Sequence, residues 1–163
     1  MKELLQQLAR YNIWANKQFA DILLKADDEI LDREITSSFP SIRTTVYHMW
    51  SAEDIWLQRL QLVEQPVWAQ SVFNGNFDEA VRKWQEASNE LLAFVERQYN
   101  DEAFRHVLQY YNLKKVSFKV PVYAVLTQVF NHATYHRGQL VTMMRQAGIK
   151  KIPGTDFHLF ATK

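Results

Sequence analysis

The sequence predicts an all-α fold, a four-helix bundle with a small β-hairpin inserted between its third and fourth helices. Three observations carry this. Only four glycines and four prolines interrupt the 163 residues, which leaves long segments free of helix breakers. Within those segments apolar residues recur at three- and four-residue spacing, the period of one helical face. The hydrophobic fraction is 47%, with aromatics at 13%, enough to fill one core and too much for a disordered chain. At this length residues 1–163 read as one domain.

From Lys2 to about Ala26, the residues Leu4, Leu8, Tyr11, Ala15, Phe19 and Ile22 form one apolar stripe, the first helix. Asp27, Asp28 and the polar run to Pro40 break the period. Ser41 then suits an N-cap, because its hydroxyl can accept a free amide of the first turn. The second helix is expected to run from there to about Glu64, with Pro66 ending it. After a loop containing Asn74-Gly75-Asn76, Asp78 is expected to open a third helix reaching about Gln98, with Ala80, Trp84, Leu91, Phe94 and Val95 on its apolar side.

The stretch from Phe104 to Val120 is rich in β-branched and aromatic residues around Asn112 and reads as the hairpin. After Pro121 the helical period resumes through Val125, Val129, His132, His136, Leu140 and Met143 and stops near Gly148, giving the fourth helix. The tail is expected to pack back across a bundle end, since Phe157, Leu159 and Phe160 would otherwise be exposed. The connection from Gln65 to Asn76 is long enough to cross the bundle, so the order of helices around the core stays open.

Nineteen basic and eighteen acidic residues give a net charge of +1, too little to draw the chain to nucleic acid or anionic lipid. Lys114 and Lys115 at the hairpin tip, with Lys150 and Lys151, read as solvated charges, so neither nucleic acid nor membrane is an expected partner. The absence of cysteine excludes disulfides, thiolate metal sites and a cysteine nucleophile. Polar groups interrupt the amino-terminal segment every few residues, and no stretch approaches the roughly 20 apolar residues of a membrane span. A cytoplasmic location is expected. No phosphate-binding glycine loop, nucleophile elbow or dinucleotide fingerprint is present.

Metal chemistry in such a chain must use His, Asp or Glu. His132 and His136 stand i, i+4 on the fourth helix, so their rings project from one face and can share an ion. A partly buried histidine pair is the ordinary alternative. His48, one turn into the second helix, can add a third ring from a facing helix. Three neutral nitrogen donors would suit Zn, Ni, Fe or Mn and leave coordination positions open for a substrate oxygen or sulfur. His106 and His158 have no partner at ligand spacing.

The segments from His48 to Trp56 (HMWSAEDIW) and from Asn131 to Gln139 (NHATYHRGQ) resemble the damage-inducible DinB family, also called DinB/YfiT-like. Tyr11-Asn12-Ile13-Trp14-Ala15-Asn16, Arg145-Gln146-Ala147-Gly148 and Thr155-Asp156-Phe157 are similar to the family's flanking pieces, and the likeness covers most of the chain. The resemblance implies an up-down-down-up four-helix bundle, often a homodimer, with a divalent metal on His48, His132 and His136. Similar proteins include thiol-dependent transferases and isomerases. The resemblance therefore implies a metal-dependent enzyme that presents a low-molecular-weight thiol to an electrophile or carries out hydrolysis. A dimeric metal-binding or stress-response module without turnover is the alternative. Some relatives carry a further histidine where this chain has Gln128.

Gln128 lies one turn before His132 on the same face, where its amide can reach bound water or substrate, or make a bundle-end hydrogen bond. Glu53 and Arg137 stand about 140° round their helices from His48 and His132, off the metal face. They are expected to pair across the second and fourth helices and fix their register. Tyr11, Asn12, Trp14 and Trp50 are candidates for pocket walls or hydrogen-bond partners behind the imidazoles, with core packing the commoner role for the tryptophans. Gly138, inside a helix, implies a close helix contact.

Overall fold

The structure is a computed structural model that describes residues 1–112 and 115–162. In chain order these form α1 (Lys2–Leu23), α2 (Asp28–Asp32), α3 (Ile42–Leu60), α4 (Phe77–Arg97), the antiparallel strands β1 (Val107–Tyr111) and β2 (Ser117–Pro121), α5 (Val122–Gln146) and α6 (Phe157–Ala161). Single 3₁₀ turns occupy Ala69–Val72 and Asp101–Arg105. The four long helices and the hairpin match the sequence expectation, and α2 is an added turn within the polar run before Pro40. No helix among the described residues is long and apolar enough to cross a membrane.

The helix ends have local causes. Ser41 caps α3 as expected, its hydroxyl taking the Thr44 amide at 3.2 Å while Thr44 reaches back to the Ser41 amide at 3.1 Å. The cap of α4 is Asn76, not Asp78: its carboxamide oxygen accepts from the Glu79 amide at 2.9 Å, and Glu79 returns the bond. Asn76 wins because its position places Glu79 at the third helical residue, the reciprocal partner that Asp78 would lack. At the start of α1, Asp101 accepts from the amino terminus at 2.9 Å and from the Lys2 amide at 2.8 Å, a carboxylate on the positive end of the helix.

Helix α3 ends at Leu60, short of both Glu64 and Pro66. The amides of Leu62 and Val63 bond back to the carbonyls of Arg59 and Gln58, the Schellman pattern, with Leu62 in the left-handed position at φ 60°. Helix α5 closes the same way, with Gly148 at φ 96° and its amide and that of Ile149 bonded to Arg145 and Met144. Helix α1 stops at Leu23 rather than Ala26, its last three residues forming a turn.

Side-chain partners give the helix directions. Lys2 and Arg10 of α1 reach Gln98 and Glu96 at the carboxyl end of α4, so these two helices are antiparallel. Thr45 near the start of α3 meets Met143 near the end of α5, another antiparallel pair. Tyr47 packs on Phe77 and Glu53 bonds Ser88, so α3 and α4 run parallel. The bundle is therefore up-down-down-up, and residues 61–76 make the crossover that the parallel pair requires. Two apolar clusters fill it. One contains Phe19, Leu23, Met49, Trp84 and Met144, and the other contains Leu5, Leu57, Leu91, Phe104 and Leu126. Between them lies a layer of buried polar groups, Asn12, Asn16, Glu53, Ser88 and Arg137.

The tail returns as expected, with Phe157 and Phe160 against Tyr11 at 5.2 and 5.8 Å. Leu159 and much of Phe157 nevertheless stay exposed. Lys115, Lys150 and Lys151 are exposed, while Lys114 lies outside the described residues.

Candidate metal centre

His48 comes from α3 and His132 and His136 from α5, where the antiparallel packing sets the two helices face to face. Nε2 of His132 lies 3.1 Å from Nε2 of His48 and 3.0 Å from Nε2 of His136. One nitrogen from each ring falls within 4.8 Å of the others. Imidazole nitrogens sharing one ion at about 2.0–2.1 Å stand roughly 2.9–3.4 Å apart, so the spacing fits a common divalent cation. The site's chemistry fits as well, since all three donors are neutral. Burial, then the charge of the neighbouring rings, pushes His48 and His132 down to about 4, and burial also lowers His136.

The orientation of His136 is set from behind. Its Nδ1 lies 2.8 Å from Oε1 of Gln139, whose amide nitrogen donates to Ser38 at 2.7 Å. An amide oxygen only accepts, so Nδ1 carries the proton and Nε2 is left as a lone pair facing the other rings. Phe39 stacks on His48 at 4.2 Å and lies 5.7 Å from His136. Trp68, on the α3–α4 crossover, lies 5.6 Å from His48. Tyr135 packs on His136 at 5.0 Å and is 60% exposed, so it stands on the outer side of the site.

A model of the DinB family matches residues 1–162 of the sequence. The chain belongs to the DinB family. It is 31% identical to Protein DinB of Bacillus subtilis (strain 168), over 100% of this chain and 98% of that protein. The fold is similar to the crystal structure of a DinB-like protein from Bacillus cereus ATCC 10987, with a TM-score of 0.74 and 19% identity over 93% of this chain and 95% of that one. A DinB-like protein from Bacillus subtilis superposes with a TM-score of 0.67 and 14% identity, over 92% of this chain and 98% of that one.

The other site residues expected from the DinB resemblance and the helix geometry fall elsewhere. Glu53 and Arg137 make no direct ion pair. Asn12 and Asn16 stand between them: each donates to Oε1 of Glu53 at 2.9 Å and accepts from Nη1 of Arg137, at 2.7 and 2.8 Å. The asparagines win because they satisfy donors and acceptors on both charges, which a single contact leaves unpaired. Ser88 donates to Glu53 at 2.6 Å, Trp84 adds a longer bond at 3.4 Å, and Thr134 accepts from Arg137 at 2.7 Å. Burial raises the Glu53 carboxyl, and the donors of Asn12, Ser88 and Asn16 pull it back.

Asn12 thus serves the polar layer rather than an imidazole. Tyr11 donates to the Thr155 carbonyl at 2.6 Å and packs with Trp14 against the tail. Trp50 lies in the core against Phe73, and Gln128 is exposed one turn before His132. Gly138 has open space where a Cβ would stand, so no close helix contact explains it. His106 and His158 lie outside the cluster. Sequence reasoning missed Gln139, Phe39, Trp68 and Tyr135. Gln139 had a signal, three residues after His136 on the same face. Phe39 and Trp68 come from loops, where no period marks them.

Proposed function

We propose that His48, His132 and His136 bind one divalent ion, Zn, Ni, Fe or Mn, and that the chain is a metal-dependent enzyme of the thiol-transferase type. The observation that carries the reading is the convergence of three Nε2 atoms from two helices on one point. A three-imidazole ion keeps its full positive charge and supplies Lewis-acid chemistry, lowering the pKa of a thiol or polarising a substrate oxygen. The protein's own part is to hold three unprotonated rings at neutral pH, to fix His136 through Gln139, and to wall the site with Phe39 and Trp68. Among the described residues, the groups that touch the rings are aromatic or amide, and no carboxylate joins the cluster. A low-molecular-weight thiol that lost its proton to solvent on such an ion would need no protein base there, which is compatible with thiol transfer. The proposed assembly is a homodimer.

Elemental analysis of the purified protein and of His132→Ala tests the ligand set. Stoichiometric metal in the parent and its loss in the variant are expected, and metal retained by the variant overturns it. Turnover of the loaded protein with a panel of low-molecular-weight thiols and electrophiles, against p-nitrophenyl esters, then separates transfer from hydrolysis. Metal binding without turnover on either panel returns the chain to a binding module.

A further inference from the structure

At the far end of α3 stands a group of side chains that the metal centre does not use. Trp56 and Arg59 lie one turn apart on α3, and Tyr110 of β1 closes against them. The Arg59 guanidinium is 4.5 Å from the Trp56 ring and 4.7 Å from the Tyr110 ring, and the two rings meet edge-on at 5.0 Å. Arg59 is half-buried, yet among the described residues its side chain has no hydrogen-bond acceptor and no ion-pair partner. By contrast, Arg43 is held by Asp28 and Asp32, and the buried Arg137 bonds Asn12, Asn16 and Thr134 through its two terminal nitrogens, with its Nε alone lacking a partner among the described residues. Five fixed donors partly withdrawn from water call for an acceptor.

Arg59 and Tyr110 border a cavity of about 330 Å³ whose other walls include Leu62, Val63, Pro66 and Leu108, with the exposed Glu64 beside them. Leu62 is a second anomaly. It occupies the left-handed position that closes α3, where glycine is favoured, and it is 78% exposed. Neither backbone conformation nor packing among the described residues accounts for a leucine there.

We propose that this cavity binds a small monocarboxylate with an apolar body. Aromatic rings lie over the guanidinium, so its N–H edges are what remain for a ligand, and an in-plane, two-oxygen acceptor matches them. The apolar body lies against Leu62, Val63, Pro66 and Leu108. Glu64 and the carbonyl end of α3 oppose a second negative charge, which selects a carboxylate over a phosphate. The cavity is three turns along α3 from His48, about 16 Å, and does not depend on the metal reading.

Titration with 3-phenylpropionate, followed by calorimetry and backbone amide NMR, tests the proposal, with 3-phenylpropionamide and inorganic phosphate as controls. The acid is expected to bind saturably to the parent and equally to His132→Ala, shifting the amides of Leu62 to Glu64 and Leu108 to Tyr111. The amide and phosphate are expected to bind at least about tenfold more weakly, and Arg59→Met to lose about tenfold for the acid. Leu62→Gly is expected to raise the melting temperature while weakening the acid, a combination that loss of fold cannot produce. Absence of saturable binding, equal binding of the amide, or undiminished affinity in Arg59→Met or Leu62→Gly overturns the assignment. Binding that disappears in His132→Ala also overturns it, by placing the acid on the imidazoles.

Discussion

Gln139 holds His136 by its far nitrogen: Oε1 of the amide lies 2.8 Å from Nδ1, on the side of the ring away from the other two imidazoles. The bond selects the tautomer with a free Nε2, and the amide is itself anchored on Ser38. Gln139→Ala removes both. Metal affinity of the variant, measured by chelator competition, is expected to fall by about 10–100-fold with stoichiometry unchanged. Equal affinity in the variant and the parent would show that ring packing alone orients His136.

The same rings set a pH dependence in the metal-free protein. Unfolded histidine titrates near about 6.5, whereas folded His48 and His132 titrate at about 4, so between these values the unfolded chain binds more protons. Their contribution to stability is whole above the unfolded value and is lost as pH falls from about 6.5 towards 4. Melting temperatures of chelator-treated protein across this window are expected to fall on acidification. The slope is expected to be shallower in a His48→Gln, His132→Gln double variant, which isolates it from carboxylate titration. Parallel curves for the two proteins would contradict the assignment.

Glu53 accepts four hydrogen bonds in the buried layer, from Asn12, Asn16, Ser88 and Trp84. Glu53→Gln places an amide donor among donors and leaves the nearby Arg137 without its counter-charge. Urea unfolding is expected to show a loss of about 3 kcal/mol, the order for breaking one side of a buried ionic network. Because the layer ties α1, α3, α4 and α5 together beside the histidines, metal affinity is expected to fall as well. Unchanged stability and affinity would mean that the layer does not set the spacing of α3 and α5.

Much of this was legible in the sequence, for physical reasons that particular residues make plain. The period of three and four marked the long helices because each buries a single stripe, and the i, i+4 spacing placed His132 and His136 on one face before any fold was known. What escaped was set by partners distant in the chain or by backbone strain. Helix α3 ends short of the expected Glu64 because Leu62 adopts a left-handed conformation that no leucine advertises. Sequence alone points to a direct Glu53–Arg137 pair because α1, which supplies Asn12 and Asn16 between them, cannot be placed from helix periodicity alone. Phe39 and Trp68 reach His48 from loops, whose paths depend on the packed helices beneath them.

Gly138 offers the last test, because its structural surroundings argue against the close helix contact that a glycine inside a helix suggests. A glycine inside a helix costs about 0.5–1 kcal/mol relative to alanine, a cost usually offset by a neighbour that packs into the missing Cβ. Here nothing lies within 4 Å of where that Cβ would be. The residue borders the groove between α1 and α5, with Leu8, Tyr11 and Val141, and the neighbouring Tyr135 is 60% exposed. In an isolated chain, Gly138→Ala is therefore expected to stabilise α5 by about 0.5–1 kcal/mol, read as a higher urea midpoint at low protein concentration. If a second copy packs against this face in the proposed homodimer, the added methyl meets that copy instead, and light scattering is expected to show weaker association. A variant that is less stable even as a monomer would mean that the groove is closed in solution by a segment of the chain itself.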